Sequence, residues 1–215
     1  GEPTSCQAGV AQKGCIWLKL YVSGKTSHGA EPWQGINALE QGFGLLADLR
    51  EELMREEHPV LGRSTLQITM AEGGIAPNMT PDRAQFLADI RIVPPLNEKE
   101  VLNRLKCLIE KRCEVYNGGL SFTPEISNYR MPVETGPKNQ WLHRLKGFIG
   151  DDAGETGINY FTDASIFLTA WPDSPALLFG PGEPQMCHKP NEYVEISKYF
   201  EAIRVMEKFC WYIAK

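Results

Sequence analysis

His28 stands in Gly24-Lys25-Thr26-Ser27-His28-Gly29-Ala30-Glu31-Pro32, a turn of small and polar residues that cannot bury an imidazole. A second histidine, His188, lies in an equally polar loop between Gly180-Pro181-Gly182 and Pro190-Asn191. A lone glutamate, Glu2, opens the chain in front of Pro3. Three ligand-type residues, far apart in sequence, read as parts of a site that the fold assembles. Each keeps a plainer alternative. A neutral His188 can bind a divalent metal, with Glu192 orienting its other ring nitrogen, or it is a solvated surface histidine. Glu2 is a carboxylate ligand or a solvated residue near an end. His28 has no ligand-type neighbour except Glu31. Its sharper role is a donor to a developing oxyanion, and its plain one is to cap or solvate a turn.

Three more positions join this set. Asn78 sits in Gly73-Gly74-Ile75-Ala76-Pro77-Asn78-Met79-Thr80-Pro81, where it faces a ligand or forms an Asx turn. Arg91 follows Asp89 at strand spacing. It clamps a substrate carboxylate with two parallel bonds or pairs with Asp89 on the same face. Thr162, in Thr162-Asp163-Ala164, is placed to cap the segment that follows.

The elements that must position these residues are legible from their periods. Residues 15–23 are rich in aromatic and β-branched side chains and read as a strand. Ile36, Leu39, Phe43, Leu46, Leu49 and Leu53 then recur every three or four residues, one face of a helix running to about Glu56. Strands follow at 64–72 and 83–93, parted by the glycine- and proline-rich loop. Asn97 is placed to cap a second helix with Val101, Leu105, Leu108 and Ile109 on one face, and residues 120–126 form a fourth strand. The order β-α-β-β-α-β is a ferredoxin-like unit, an antiparallel sheet with both helices on one side. Beyond it we expect a short helix at 139–149, a polar loop at 151–157 and a short strand at 176–179. A last helix starts near Ser197 and turns Phe200, Ile203, Met206 and Cys210 inward.

Composition bounds the rest. With 215 residues, 42% of them hydrophobic, the chain supports one or two domains. A net charge of −5 argues against nucleic acid or an anionic membrane as the main partner. No apolar run approaches the roughly 18 residues of a membrane span, and no signal-peptide pattern opens the chain. The six cysteines are scattered, without a Cys-x-x-Cys pair, which suits a reducing cytoplasm. The chain begins Gly-Glu-Pro without methionine, and we expect a fragment or a processed form.

Together these stretches resemble the zinc-dependent exopeptidase and amidohydrolase family of acetylornithine deacetylase, succinyl-diaminopimelate desuccinylase, carboxypeptidase G and aminoacylase. The matching pieces come in the family's order. Gly1-Glu2-Pro3-Thr4 precedes the His28 turn and Gly35-Ile36-Asn37-Ala38. Pro77-Asn78-Met79-Thr80-Pro81, Asp89-Ile90-Arg91, Thr162-Asp163-Ala164 and the His188 loop follow. The resemblance implies a mixed α/β chain: a ferredoxin-like lid and dimerisation domain at 13–127, inserted between catalytic-domain segments at 1–12 and 128–215. It implies a two-zinc centre, with cobalt or manganese as substitutes, to which Glu2 and His188 each bring one ligand. His28 would polarise the scissile carbonyl in a homodimer, reaching the partner's site together with Asn78. Asn78, Arg91 and Thr162 would hold substrate. The family's His-x-Asp and Glu-Glu pairs belong upstream of Gly1, so residues 1–215 alone are expected to be inactive. The substrate implied is an N-acyl amino acid. A dipeptide (dipeptidase or carboxypeptidase) and a non-catalytic dimerisation or substrate-binding module are the alternatives.

Overall fold

The computed structural model describes residues 1–150 and 153–214. In chain order it forms β1 (Ala8–Gln12), β2 (Gly14–Ser23), α1 (Ala38–Leu53), β3 (Glu57–His58) and β4 (Gly62–Arg63). β5 (Thr65–Gly73), β6 (Arg83–Ile92), α2 (Glu98–Glu114), β7 (Ser121–Arg130) and β8 (Val133–Glu134) follow. The chain ends in α3 (Gln140–Ile149), β9 (Glu155–Ile158), α4 (Ala164–Ala170) and α5 (Ile196–Ile213). These elements fall into two compact units. One holds Gly14–His58 and Gly62–Met131, the other Gly1–Lys13, Pro59–Leu61 and the described part of 132–214. No helix among the described residues is long and apolar enough to cross a membrane.

The larger unit is the ferredoxin-like lid. Its four strands lie in the order β5-β6-β2-β7, every neighbouring pair antiparallel. Strict alternation in the central strands explains the layering. Ile16, Leu18, Leu20 and Val22 of β2, with Ala84, Phe86, Ala88, Ile90 and Ile92 of β6, are buried and join the core with Leu45, Leu46, Leu49 and Leu53 of α1. The side chains between them, such as Trp17 and Tyr21, face away and stay exposed.

Both helices begin where an asparagine can cap them. Asn37 accepts from the backbone of Leu39 and Glu40, and Asn97 from that of Glu100, which satisfies otherwise orphaned donors. Gly42 lets α1 approach the sheet, since a Cβ there would lie 2.1 Å from the Phe86 ring. The fourth strand runs further than its sequence suggests, to Arg130, because β2 continues opposite it as far as Cys15.

In the smaller unit β1 is the middle strand, antiparallel to β8 and parallel to β9. All five of its residues are buried. β9 overlaps the end of the segment expected to be a loop, of which residues 151 and 152 fall outside the described residues. Its four residues show no clear alternation, and the ladder to β1 alone makes them a strand. The strand expected at 176–179 is reduced to one antiparallel bridge between Leu178 and Gly9.

α3, capped by Asn139, packs on α5 through edge-on contacts of Trp141 and Phe148 with Phe209 and Tyr212. The inward face of α5 also differs from its sequence reading. Ala202 and Val205 are buried, whereas Phe200, Ile203, Met206 and Cys210 are exposed. The helix is apolar on more than one side, so its period does not choose a face.

Candidate functional site

Within the lid, two loops continue the β2–β6 ladder past the end of the sheet. Gly24 N–H donates to the Asp82 carbonyl at 2.8 Å, Thr80 N–H to that of Ser27 at 3.0 Å, and Gly29 N–H to that of Asn78 at 2.8 Å. His28 therefore sits opposite Met79, beside Asn78. The residue after His28 is a glycine for a reason: a Cβ there would lie 3.1 Å from the Asn78 carbonyl. Both side chains are exposed. His28 Nδ1 accepts the Ala30 N–H at 3.1 Å, and Asn78 makes no Asx turn among the described residues. The loops bearing His28 and Asn78, 50 residues apart in sequence (78 − 28), are thus held backbone to backbone, with both side chains exposed.

Arg91 lies near the opposite end of β6, paired across the sheet with Cys15, while the His28 loops leave from the Arg83 end. Eight residues of strand, about 27 Å, separate Arg83 from Arg91. Its guanidinium takes both oxygens of Asp89, with Nε–Oδ1 at 2.6 Å and Nη2–Oδ2 at 2.9 Å. Those bonds hold the Arg91 pKa above its ordinary value, against the opposing effect of burial. The lid does not bring Arg91 to His28 and Asn78.

In the smaller unit, residues 1–6 are laced to the 179–182 loop. Glu2 N–H donates to the Phe179 carbonyl, Ser5 N–H to that of Gly182 and Cys6 N–H to that of Gly180. The buried Thr4 hydroxyl donates to the Gln7 carbonyl at 2.7 Å and accepts from Gly180 N–H at 3.2 Å. Gly180 has to be glycine, because a Cβ would fall 2.5 Å from the Glu2 carbonyl oxygen.

Glu2 is thereby held between two cavities. One, of about 500 Å³, is lined by Phe179, Tyr199, Ile203 and Glu192. The other, of about 330 Å³, is lined by Thr162, Asp163 and Trp171. Burial raises the Glu2 pKa, and Asp163 adds to the rise. Tyr160 is pushed up more strongly, first by burial and then by the adjacent Cys187, with Glu2 contributing, so it stays a neutral hydroxyl.

His188 is exposed, in the left-handed region at φ 60°. Its backbone N–H donates to Glu192 Oε2 at 3.2 Å. Glu192 thus fixes the loop through the main chain, where the sequence suggested a contact to the ring. Thr162 is buried. Its hydroxyl donates to Gln12 Oε1 at 2.5 Å and accepts from Ala164 N–H at 3.2 Å, capping α4.

Among the described residues, no group of three or more His, Cys, Asp or Glu side chains is disposed to hold a metal ion. Glu2 and His188 fall short of the three protein ligands a catalytic zinc takes, so these residues do not make a metal site by themselves.

Residues 10–117, half of the chain, match the M20 peptidase dimerisation domain. The chain belongs to the M20 family of exopeptidases and amidohydrolases. A relative, acetylornithine deacetylase of Shigella sonnei strain Ss046, is 29% identical over 226 residues, 99% of this chain and 56% of that protein. Aminopeptidase PepT from Bacillus cereus ATCC 10987 shares the fold with a TM-score of 0.76 at 19% identity, covering 100% of this chain and 56% of that one. The M20 family metallo-carboxypeptidase Sso-CP2 from Sulfolobus solfataricus has a TM-score of 0.63 at 17% identity, over 94% of this chain and 59% of that one. The chain thus spans a little over half the length of these three proteins.

Some residues of the site escaped sequence reading. Ser27 and Thr80 join the two lid loops through their hydroxyls, and Gln12 receives Thr162. Hydroxyls and amides of this kind carry no period or spacing. Only their partners, brought together by the fold, single them out.

Proposed function

We propose that this chain is the lid-bearing portion of a metal-dependent hydrolase that removes the acyl group from N-acyl amino acids. The observation that carries the reading is that exposed His28 and exposed Asn78 stand in two loops held together by a backbone ladder that packing does not require. Similarity to a deacetylase along 99% of the chain supports the substrate class. His28 is assigned as the group that donates to the scissile carbonyl oxygen as charge builds on it. Its Nδ1 is occupied by the Ala30 N–H, which leaves Nε2–H as the donor. Asn78, Arg91 and Thr162 are assigned to substrate.

Glu2 and His188 are assigned as this chain's ligands to a centre of two zinc ions, with cobalt or manganese as substitutes. A bound metal supplies a Lewis acid and a hydroxide at neutral pH. Two ligands are too few for tight binding, so residues 1–215 alone are assigned no catalysis. The lid makes the intact protein a homodimer, and the protein is placed in the cytoplasm.

The test is hydrolysis by the complete gene product and by residues 1–215, using N-acetyl amino acids, N-succinyl amino acids and dipeptides, with and without chelator. Acyl release by the complete product alone, lost on chelation, is expected. Cleavage of dipeptides only, or full activity in excess chelator, overturns the proposal.

A further inference from the structure

The turn bearing His28 is long for something that must aim an imidazole. Residues 26–35 are closed at the base by reciprocal backbone bonds between Lys25 and Ile36, at 3.0 and 2.7 Å. Closing the base still leaves the tip many conformations. Bonds from Glu31 N–H to the His28 carbonyl, Gln34 N–H to that of Glu31 and Gly35 N–H to that of Pro32 fold its far half. Two further contacts tie the His28 half to the neighbouring loop. One is the backbone ladder to residues 78–80. The other is a side-chain contact, Ser27 Oγ to Thr80 Oγ1 at 2.8 Å. Thr80 is only 8% exposed although Asn78 and Met79 beside it are exposed. A hydroxyl buried at the rim of an open loop needs a partner, and Ser27 supplies it.

We propose that Ser27 and Thr80 are positioning residues: their hydroxyl pair locks the His28 turn to the Asn78 loop and so presents the imidazole as an Nε2–H donor. The tautomer follows from the Ala30 N–H. A backbone N–H can only donate, so Nδ1 must accept, and the proton of the neutral ring sits on Nε2. That contact spans two residues within the turn and survives only while the turn keeps its shape. The Ser27–Thr80 bond sits one residue from His28 on one strand and one from Met79 on the other, where it resists slippage of the two loops. An acceptor at Nε2, as a general base or a metal ligand requires, is the opposite tautomer. The pair therefore selects what His28 can do as well as where it stands.

The inference rests on the reading of His28 as a carbonyl donor, but its test does not need activity. In residues 1–215 with the ring neutral, ¹⁵N NMR of the His28 imidazole reports the tautomer directly. Wild type and Thr80→Ser are expected in the Nε2–H form. Thr80→Val and Ser27→Ala are expected to lower its share over the other tautomer by roughly tenfold, the effect of one ordinary hydrogen bond. Ser27 is only half-buried, so Ser27→Ala keeps the test open if Thr80→Val does not fold. An unchanged tautomer in a folded Thr80→Val or Ser27→Ala protein overturns the proposal. In the complete gene product the same two variants should lower kcat with little change in KM, and Thr80→Ser should restore it. Absent hydrolysis by the wild type would defeat the functional reading while the NMR result still decides the clamp.

Discussion

Arg91 and Asp89, two positions apart on β6, share one face of the lid sheet and are joined by two parallel bonds of 2.6 and 2.9 Å. Trp17 Nε1 also donates to Asp89 Oδ2, at 3.3 Å. A substrate carboxylate that used Arg91 would compete with Asp89 for the same fork. Asp89→Asn should therefore lower KM severalfold for a substrate with a free carboxylate, and should cost about 1 kcal/mol of lid stability. Steady-state kinetics of the complete gene product, beside urea unfolding, separates the two effects. An unchanged KM in both Asp89→Asn and Arg91→Gln would leave Arg91 a purely structural residue.

Gly42 is predicted to be intolerant of even a methyl group. In an open helix interior, Gly→Ala gains up to about 1 kcal/mol from helix propensity. Here the new Cβ would lie 2.1 Å from the buried Phe86 ring, and overpacking costs roughly 1–3 kcal/mol. The clash wins, so Gly42→Ala should lower the unfolding midpoint of the lid. A rise would show that Phe86 has room to move.

Thr4→Val removes a buried hydroxyl that serves the Gln7 carbonyl and the Gly180 N–H together. Leaving those groups unpaired should cost about 1–3 kcal/mol. Because the same hydroxyl holds residues 1–6 to the glycine loop, amide exchange at Gly180 should speed up more than exchange in the lid. Uniform exchange rates in the variant would contradict this.

Glu183 sets an acid limit on the smaller unit. Hydrogen bonds from Lys198 and from Ser5, the latter at 2.5 Å, hold its carboxyl below the ordinary value of 4.5. A carboxyl depressed in the folded state adds stability above its unfolded pKa and loses it as pH falls through the folded value. Stability of this unit should thus decline below about pH 4.5, more gently in Glu183→Gln. Urea midpoints measured across the acid range give the slope. Equal slopes in the two proteins would remove Glu183 from the account.

His28→Ala in the complete gene product should lower kcat by roughly 10²-fold or more, as loss of an oxyanion donor does. Metal content should stay unchanged, and atomic absorption decides that point. Loss of metal in step with activity would make His28 a ligand instead. In a mixed dimer, a protomer lacking His28 should be rescued by a partner that retains it.

The lid was legible because its periods are clean. Alternation in β2 and β6 and the three-to-four spacing in α1 each allow one buried face, and Asn97 marks where α2 can start. The His28 turn was legible for the opposite reason, since nothing around it could bury a ring. Other features depended on partners distant in sequence. β9 is a strand only because β1 runs beside it. The buried side of α5 is chosen by α3 and not by a helix apolar on several sides. The Asp89 carboxylate decides what Arg91 touches, and Thr80, 53 residues away, decides how Ser27 is used.

Local sequence determines backbone preference and which side chains avoid water, because those energies act within a few residues. Hydrogen-bond partners and the face of an ambivalent helix are settled by groups that only the tertiary fold brings within 3 Å or so. For this chain the sequence alone yielded the family, the lid and the odd histidine. The tertiary structure decided that His28 stands beside Asn78, at the other end of β6 from Arg91, with its Nδ1 occupied.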